Sequence, residues 1–197
     1  MSDHLILGSK AACQIVRPTN IVIPKGHFTV EHWRAGKLLQ TFEADNGVTI
    51  EGKNFLWDVM FHGTVAAPTW YIGLIDGDVG YTALDETDTY DDINQVGNGW
   101  DELPANDYTI GGDNTKRGVW SEGAASAKAM TNAVAVTFVI VTPSTVKGLC
   151  LVGLGANADL QGDHANDGIL WSTALWSTGD ATVILADELK VTYTVSC

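Results

Sequence analysis

From His27 to Arg34, Phe28, Val30 and His32 alternate with Thr29, Glu31 and Trp33, the period of two of a half-buried strand. Lys37 to Glu43 alternates again, and Ala35-Gly36 between the two runs predicts a tight β-hairpin. Asp45-Asn46-Gly47 reads as a turn. The period then changes: Phe55, Val59 and His62, with Leu56 and Met60, fall at helical spacings, and Gly63 stands where a left-handed C-cap belongs. One short helix is predicted there. Trp70 to Ile75 is an aromatic and β-branched run, read as a strand lying over that helix. Further strands are predicted over 118–122, 133–142, 146–152, 169–176, 181–185 and 189–195, bounded by turn residues such as Pro143-Ser144 and Thr178-Gly179-Asp180. Eight or nine short strands, one short helix, no βαβ alternation and no internal repeat predict an all-β sandwich or jelly-roll-like fold.

Two segments break the pattern. Residues 1–24 mix the aliphatic triplets Leu5-Ile6-Leu7 and Ile21-Val22-Ile23 with Gly8, Pro18 and Pro24. That composition suits an N-terminal arm lying on its own domain or on a neighbouring subunit. Between Asn54 and Thr115 there is no Lys or Arg, yet half of the 24 carboxylates fall there. Glycines and Pro104 interrupt any long period, so about 76–115 reads as an acidic loop insert, and Tyr81, Tyr90, Trp100 and Tyr108 predict that it folds down onto the protein. Residues 25–197 are therefore read as one β-sandwich domain carrying that insert, a length able to bury a core without metals or disulfides.

Charge and cysteine content narrow the function classes. The net charge of −13 repels a phosphate backbone, which argues against nucleic acid as a partner. Cys13, Cys150 and Cys197 are an odd number without close spacing, so neither a disulfide framework nor a zinc site is indicated. Cys150 lies in the apolar run Leu149 to Val152 and reads as a buried thiol. No apolar run approaches the ~18 residues of a membrane span, so no membrane partner is expected. Asp3, His4 and the short Leu5-Ile6-Leu7 do not make a signal peptide.

The order EHWRAGKLL, EGKNFLWDVMFHG, WYIGLID and GYTALDETDT, followed by Arg117-Gly118-Val119-Trp120, Val146 to Leu149, Gly168 to Ala174 and Leu189 to Ser196, resembles a family of small structural proteins encoded in the virion modules of tailed bacteriophages. The resemblance covers most of the chain from Pro24 onward. It implies a non-enzymatic virion protein made in the host cytoplasm and carried on the capsid surface. The leading implication is a decoration or cement protein that bridges major capsid protein subunits and assembles as a dimer or trimer. The alternative is a tail-associated or fibre adhesion module that recognises the host surface.

Candidate chemistry is sparse. No Gly-x-Ser-x-Gly elbow occurs, and His27 and His32, an odd number apart on one strand, face opposite ways. No cofactor is indicated. Asp76, Asp78, Asp85 and Asp88 are weak calcium candidates, with Asp91, Asp92 and Asn157-x-Asp159 nearby in kind. From Asp76 the sixth position is Tyr81 and the twelfth Thr87, which fails the EF-hand pattern. Trp33, Trp70, Trp100, Trp120, Trp171 and Trp176 read as sandwich core or interface rather than a sugar-stacking groove. The interface candidates are Leu5, Ile6, Leu7, Ile21, Val22, Ile23, Tyr90, Trp100 and Tyr108.

Overall fold

The computed structural model describes residues 24–63, 68–77, 85–94, 100–162 and 168–197. The elements are β1 (Lys25–Arg34), β2 (Lys37–Val48), α1 (Ile50–Phe61), β3 (Trp70–Asp76), β4 (Tyr108–Thr109), β5 (Gly118–Trp120), β6 (Ala129–Thr131), β7 (Val136–Ile140), β8 (Ser144–Gly153), β9 (Ile169–Leu175), β10 (Ala181–Val183) and β11 (Glu188–Ser196). The strands pair antiparallel in the order β4-β7-β11-β1-β2-β9-β8-β3-β5, with β6 on β11 and β10 on β8. The fold is all-β and sandwich-like, with one short helix.

β2 belongs to both halves of the sandwich. Its length up to Asn46 pairs with β1, while Gly47 and Val48 pair with Thr173 and Ser172 of β9. Asp45-Asn46-Gly47, read from sequence as a turn, is thus interior strand. The Asn46 side chain is buried and donates to the Tyr193 hydroxyl at 3.1 Å, so tertiary hydrogen bonding outweighs the turn preference of this triplet. The hairpin at Ala35-Gly36 does form, with both residues at positive φ (48° and 75°), the geometry that matches strand twist.

The main core lies between the sheet halves. β1 contributes Phe28 and Val30, β3 Ile72 and Leu74, β8 Leu149 and Leu151, and β11 Leu189, Val191 and Tyr193. Tyr193 joins the layers: its hydroxyl accepts from Trp171 Nε1 at 3.1 Å, its carbonyl accepts from Trp120 Nε1 at 3.2 Å, and its ring lies 4.2 Å from that of Phe28. Of the six tryptophans singled out above, Trp120, Trp171 and Trp176 are in this core. Trp33 is instead half-buried under Lys190, whose Nζ is 4.7 Å from the ring centroid.

Alternation puts the odd positions of β3 on the other face. Tyr71 and Ile75, with Cys150 and Val152 of β8 and Leu170 of β9, meet Tyr90, Ile93 and Trp100 of the acidic insert in a second apolar cluster. Burying side chains of that size stabilises by roughly 1.5–3 kcal/mol each, which is why the described part of the insert folds down in spite of its charge. Within it, Tyr90–Asp92 form a short 3-10 turn.

Candidate assembly surfaces

The insert is fastened from beneath by an ion pair. Arg117, just before β5, donates from Nη2 to Glu102 Oε2 at 2.7 Å and from Nε to both carboxylate oxygens at 3.0 Å, with both side chains fully enclosed. Its Nη1 donates to the Ala158 carbonyl at 3.0 Å and the Tyr90 hydroxyl at 3.3 Å. Glu102 Oε2 also accepts from the Gly162 amide at 2.8 Å, and its own amide donates to Asn94 Oδ1 at 2.7 Å. Burial works against the guanidinium charge, but the Glu102 carboxylate more than offsets it and raises the Arg117 pKa. Gly73 makes room for the pair, since a Cβ there would stand 2.6 Å from Glu102 Oε1 and 2.8 Å from Cys150 Sγ. Cys150 is enclosed beside them, and burial pushes its thiol up to about 12, which makes it inert.

Three predicted interface residues therefore have another place. Tyr90, Trp100 and Tyr108 are at most 1 % exposed and pack inside their own chain. Their aromatic character signalled burial within the chain, Tyr90 and Trp100 in the second apolar cluster and Tyr108 in the main core against Phe138. Leu5, Ile6, Leu7, Ile21, Val22 and Ile23, and with them the arm expected over 1–24 up to residue 23, lie outside the described residues.

The calcium candidates do not converge where they are described. Asp85 Oδ1 accepts from the Thr87 amide at 2.9 Å, which lowers its pKa, and Asp88 Oδ2 faces the Asp85 amide at 3.4 Å. Those carboxylates close a local turn. Asp76 is buried at the end of β3, its amide bonded to the Asp101 carbonyl at 3.0 Å, and Asp78 lies outside the described residues. Among the described residues no group of three or more His, Cys, Asp or Glu is placed to hold a metal, and no helix is long and apolar enough to cross a membrane.

Helix α1 forms where the sequence predicts it; what sequence reasoning missed is its exposed apolar face. Thr49 caps the helix, accepting from the Gly52 amide at 3.0 Å and donating to the Leu170 carbonyl. Glu51 in its first turn accepts from the amides of Leu170 at 2.6 Å and Tyr90 at 3.0 Å, and burial raises its pKa. Gly52 lies flat on Trp171, where a Cβ would be 2.9 Å from the backbone oxygen. The helix is thereby fixed across one end of the sandwich, and its outer face is apolar: Trp57 is 54 % exposed, Met60 61 % and Phe61 74 %, with the Trp57 and Phe61 rings stacked at 5.6 Å. Beneath α1 is a cavity of about 220 Å³ with apolar walls.

A second apolar group occupies the opposite end of the strands. Leu38 and Leu39 follow the hairpin, and Ile184, Leu185 and Val141 lie on the adjoining turns, all 40–66 % exposed, with Leu185 the most. This end is pinned by Asp187, fully enclosed, which binds Arg34 Nε and Nη2 at 2.7 Å, His32 Nε2 at 2.8 Å and the Ile184 amide at 2.9 Å. Hydrogen bonding from Arg34 leads the causes that hold its carboxyl well below the usual carboxylate range. At the usual rise per residue, the ten residues of β1 separate the two ends by about 30 Å. No known family model, curated protein or solved structure matches the chain.

Proposed function

We propose that this chain is a structural component of a tailed-bacteriophage virion, a capsid decoration or cement protein that bridges major capsid protein subunits on the head surface and works as a homo-oligomer without catalysing a reaction. The observation that carries the reading is the pair of exposed apolar ends, Trp57, Met60 and Phe61 at one and Leu38, Leu39 and Leu185 at the other, held apart by a rigid antiparallel body. Exposed apolar groups of this kind mark contact surfaces. Two of them on one module let it touch two neighbours at once. Each added contact is then effectively intramolecular, so modest interfaces hold a shell against internal pressure.

Other features agree with this reading. The charge of −13 keeps a high-copy component soluble before assembly and disfavours contact with packaged DNA. The enclosed ionisable groups Arg117, Glu102 and Asp187 serve packing, each satisfied by partners within the chain. The sequence pattern from Pro24 onward resembles that of virion proteins. The test is to remove the protein from the particle. Particles lacking it assemble but release DNA at lower temperature or under milder osmotic shock. Particles as robust as complete ones that no longer adsorb to cells would replace the cement reading with a tail-associated or fibre adhesion role.

A further inference from the structure

β2 reaches both halves of the sandwich, but over most of its length it is an edge strand. From Lys37 to Asn46 it pairs with β1, while β9 joins its other side at Gly47 and Val48. Among the described residues no strand pairs with that other side between Lys37 and Asn46. Two contacts fix which backbone groups face it. The Thr49 amide donates to the Trp171 carbonyl of β9 at 3.0 Å, and the Glu43 carbonyl accepts from the exposed Ser177 hydroxyl at 3.5 Å. Both are odd positions, and successive residues of a strand present their N–H and C=O groups to alternate sides. Thr41, Glu43 and Asp45 therefore turn theirs away from β1, and all three are exposed.

A row of open backbone groups is a template for another strand, and natural edges are blunted by Pro or Lys. Neither occurs from Leu38 to Asp45. Leu38 and Leu39, at the hairpin end of the same edge, are exposed and apolar. Leu39 is the extra residue of a bulge, since Trp33 lies opposite Leu38 and His32 opposite Gln40. Charge selects the partner. Lys37 stands at one end of the edge, Glu43 and Asp45 at the other. A second β2 running antiparallel brings each Lys37 to the acidic end of the other copy, although the net charge of −13 makes copies of the chain repel elsewhere. A two-fold axis at Glu43 would set two carboxylates face to face, which is destabilising. An axis at Thr41 sets Thr opposite Thr and brings Lys37 to Asp45.

We propose that two copies of this chain join through β2, antiparallel about a two-fold axis at Thr41, so that one sheet continues from copy to copy. The same edge serves both copies and the contact closes on itself, which gives a dimer and no filament. Leu38 and Leu39 are then covered by the second copy. The pairing stands on the strand geometry and not on the virion reading. It is measured on the isolated protein, whereas the virion reading is measured on particles, so the two fail separately.

The full chain is expected to sediment at twice its 21.0 kDa. Thr41→Pro removes an amide that faces away from β1, a change an edge strand tolerates. It should keep the circular dichroism spectrum of the natural chain and sediment as a monomer. Because a proline variant that unfolds would also lose the dimer, two cysteine variants carry the test as well. They are made in a chain with Cys13→Ser and Cys197→Ser, in which Cys150 is enclosed, its thiol pushed up to about 12 and inert. Thr41→Cys should give a disulfide-linked dimer under mild oxidation, since hydrogen-bonded residues opposite each other have Cα atoms about 5.5 Å apart, within the reach of a disulfide. Glu43→Cys should not link, because its counterpart is four residues away along the strand, roughly 14 Å. A folded Thr41→Pro protein that stays dimeric, a natural chain that is monomeric, a Thr41→Cys chain that forms no linked dimer, or a Glu43→Cys chain that links as readily overturns the proposal.

Discussion

Arg117 and Glu102 illustrate how a single pair organises the acidic insert. With both side chains enclosed, removing one partner strands a charge away from water. Arg117→Leu is expected to lower stability by about 3–5 kcal/mol, measured by denaturant unfolding. The double variant Arg117→Leu with Glu102→Leu should lose less than the sum of the single losses, the signature of direct coupling. Asp187 gives a pH-dependent counterpart. Its folded-state pKa is depressed, mainly by Arg34, so its contribution is present above the unfolded carboxylate value near ~3.9 and is lost as pH falls through the lower folded value. Stability should therefore decline on acidification below about pH 4. Asp187→Asn should cost about 2–3 kcal/mol at neutral pH and flatten that acid limb in a series of thermal melts. At this scale much was legible: Cys150 read as a buried thiol from its apolar neighbours and is enclosed. The pairing of Arg117 with Glu102 was not, because fifteen residues of turn-rich chain separate them and no local period links the two.

Helix α1 shows what one element conveys. Of the seven residues Phe55 to Phe61, only Asp58 is polar, while a helix lying on a sheet buries a stripe of little more than about 100°. Part of that apolar run had to face outward, a signal present in the sequence itself. Trp57→Ser with Phe61→Ser should change stability by no more than about 0.5 kcal/mol, as for surface positions generally. The same variant should abolish retention on capsids in a co-sedimentation assay. Retained binding would remove this face from the contact surface. Gly52 behaves oppositely. Because it lies against the Trp171 backbone, Gly52→Ala should cost about 1–3 kcal/mol through overpacking, read as a lower Tm. The strand ends were the least legible part of each element: β2 runs on to Val48 through a triplet of turn formers, and β4 and β6, two and three residues long, exist only because β7 and β11 offer them an edge.

For the whole molecule, a metal-free insert is the expected behaviour. Titration with calcium should leave Tm unchanged, and tight stoichiometric binding with a large rise in Tm would overturn that expectation. The rigid body between two apolar ends leads to a further outcome: at raised concentration the isolated protein should self-associate through those ends, visible as a concentration-dependent mass in sedimentation, and Trp57→Ser with Phe61→Ser should return it to the smaller species.

The sequence by itself determined the class of fold. A period of two is imposed by the pleat and a period near 3.6 by the helix, so the hairpin at Ala35-Gly36, the helix ending before Gly63 and the long strands from β7 onward could be read locally. It also determined that the acidic insert would fold down, since Tyr90 and Trp100 are too apolar to leave in water. Only the tertiary structure decided which surfaces remain. Burial is a property of what lies opposite a side chain, and for the odd positions of β3, for Tyr108 and for Trp57 the opposite partner, or its absence among the described residues, comes from strands far away in the chain. The same reason placed the exposed apolar groups at the two ends of the sandwich and left a cavity beside the start of β1.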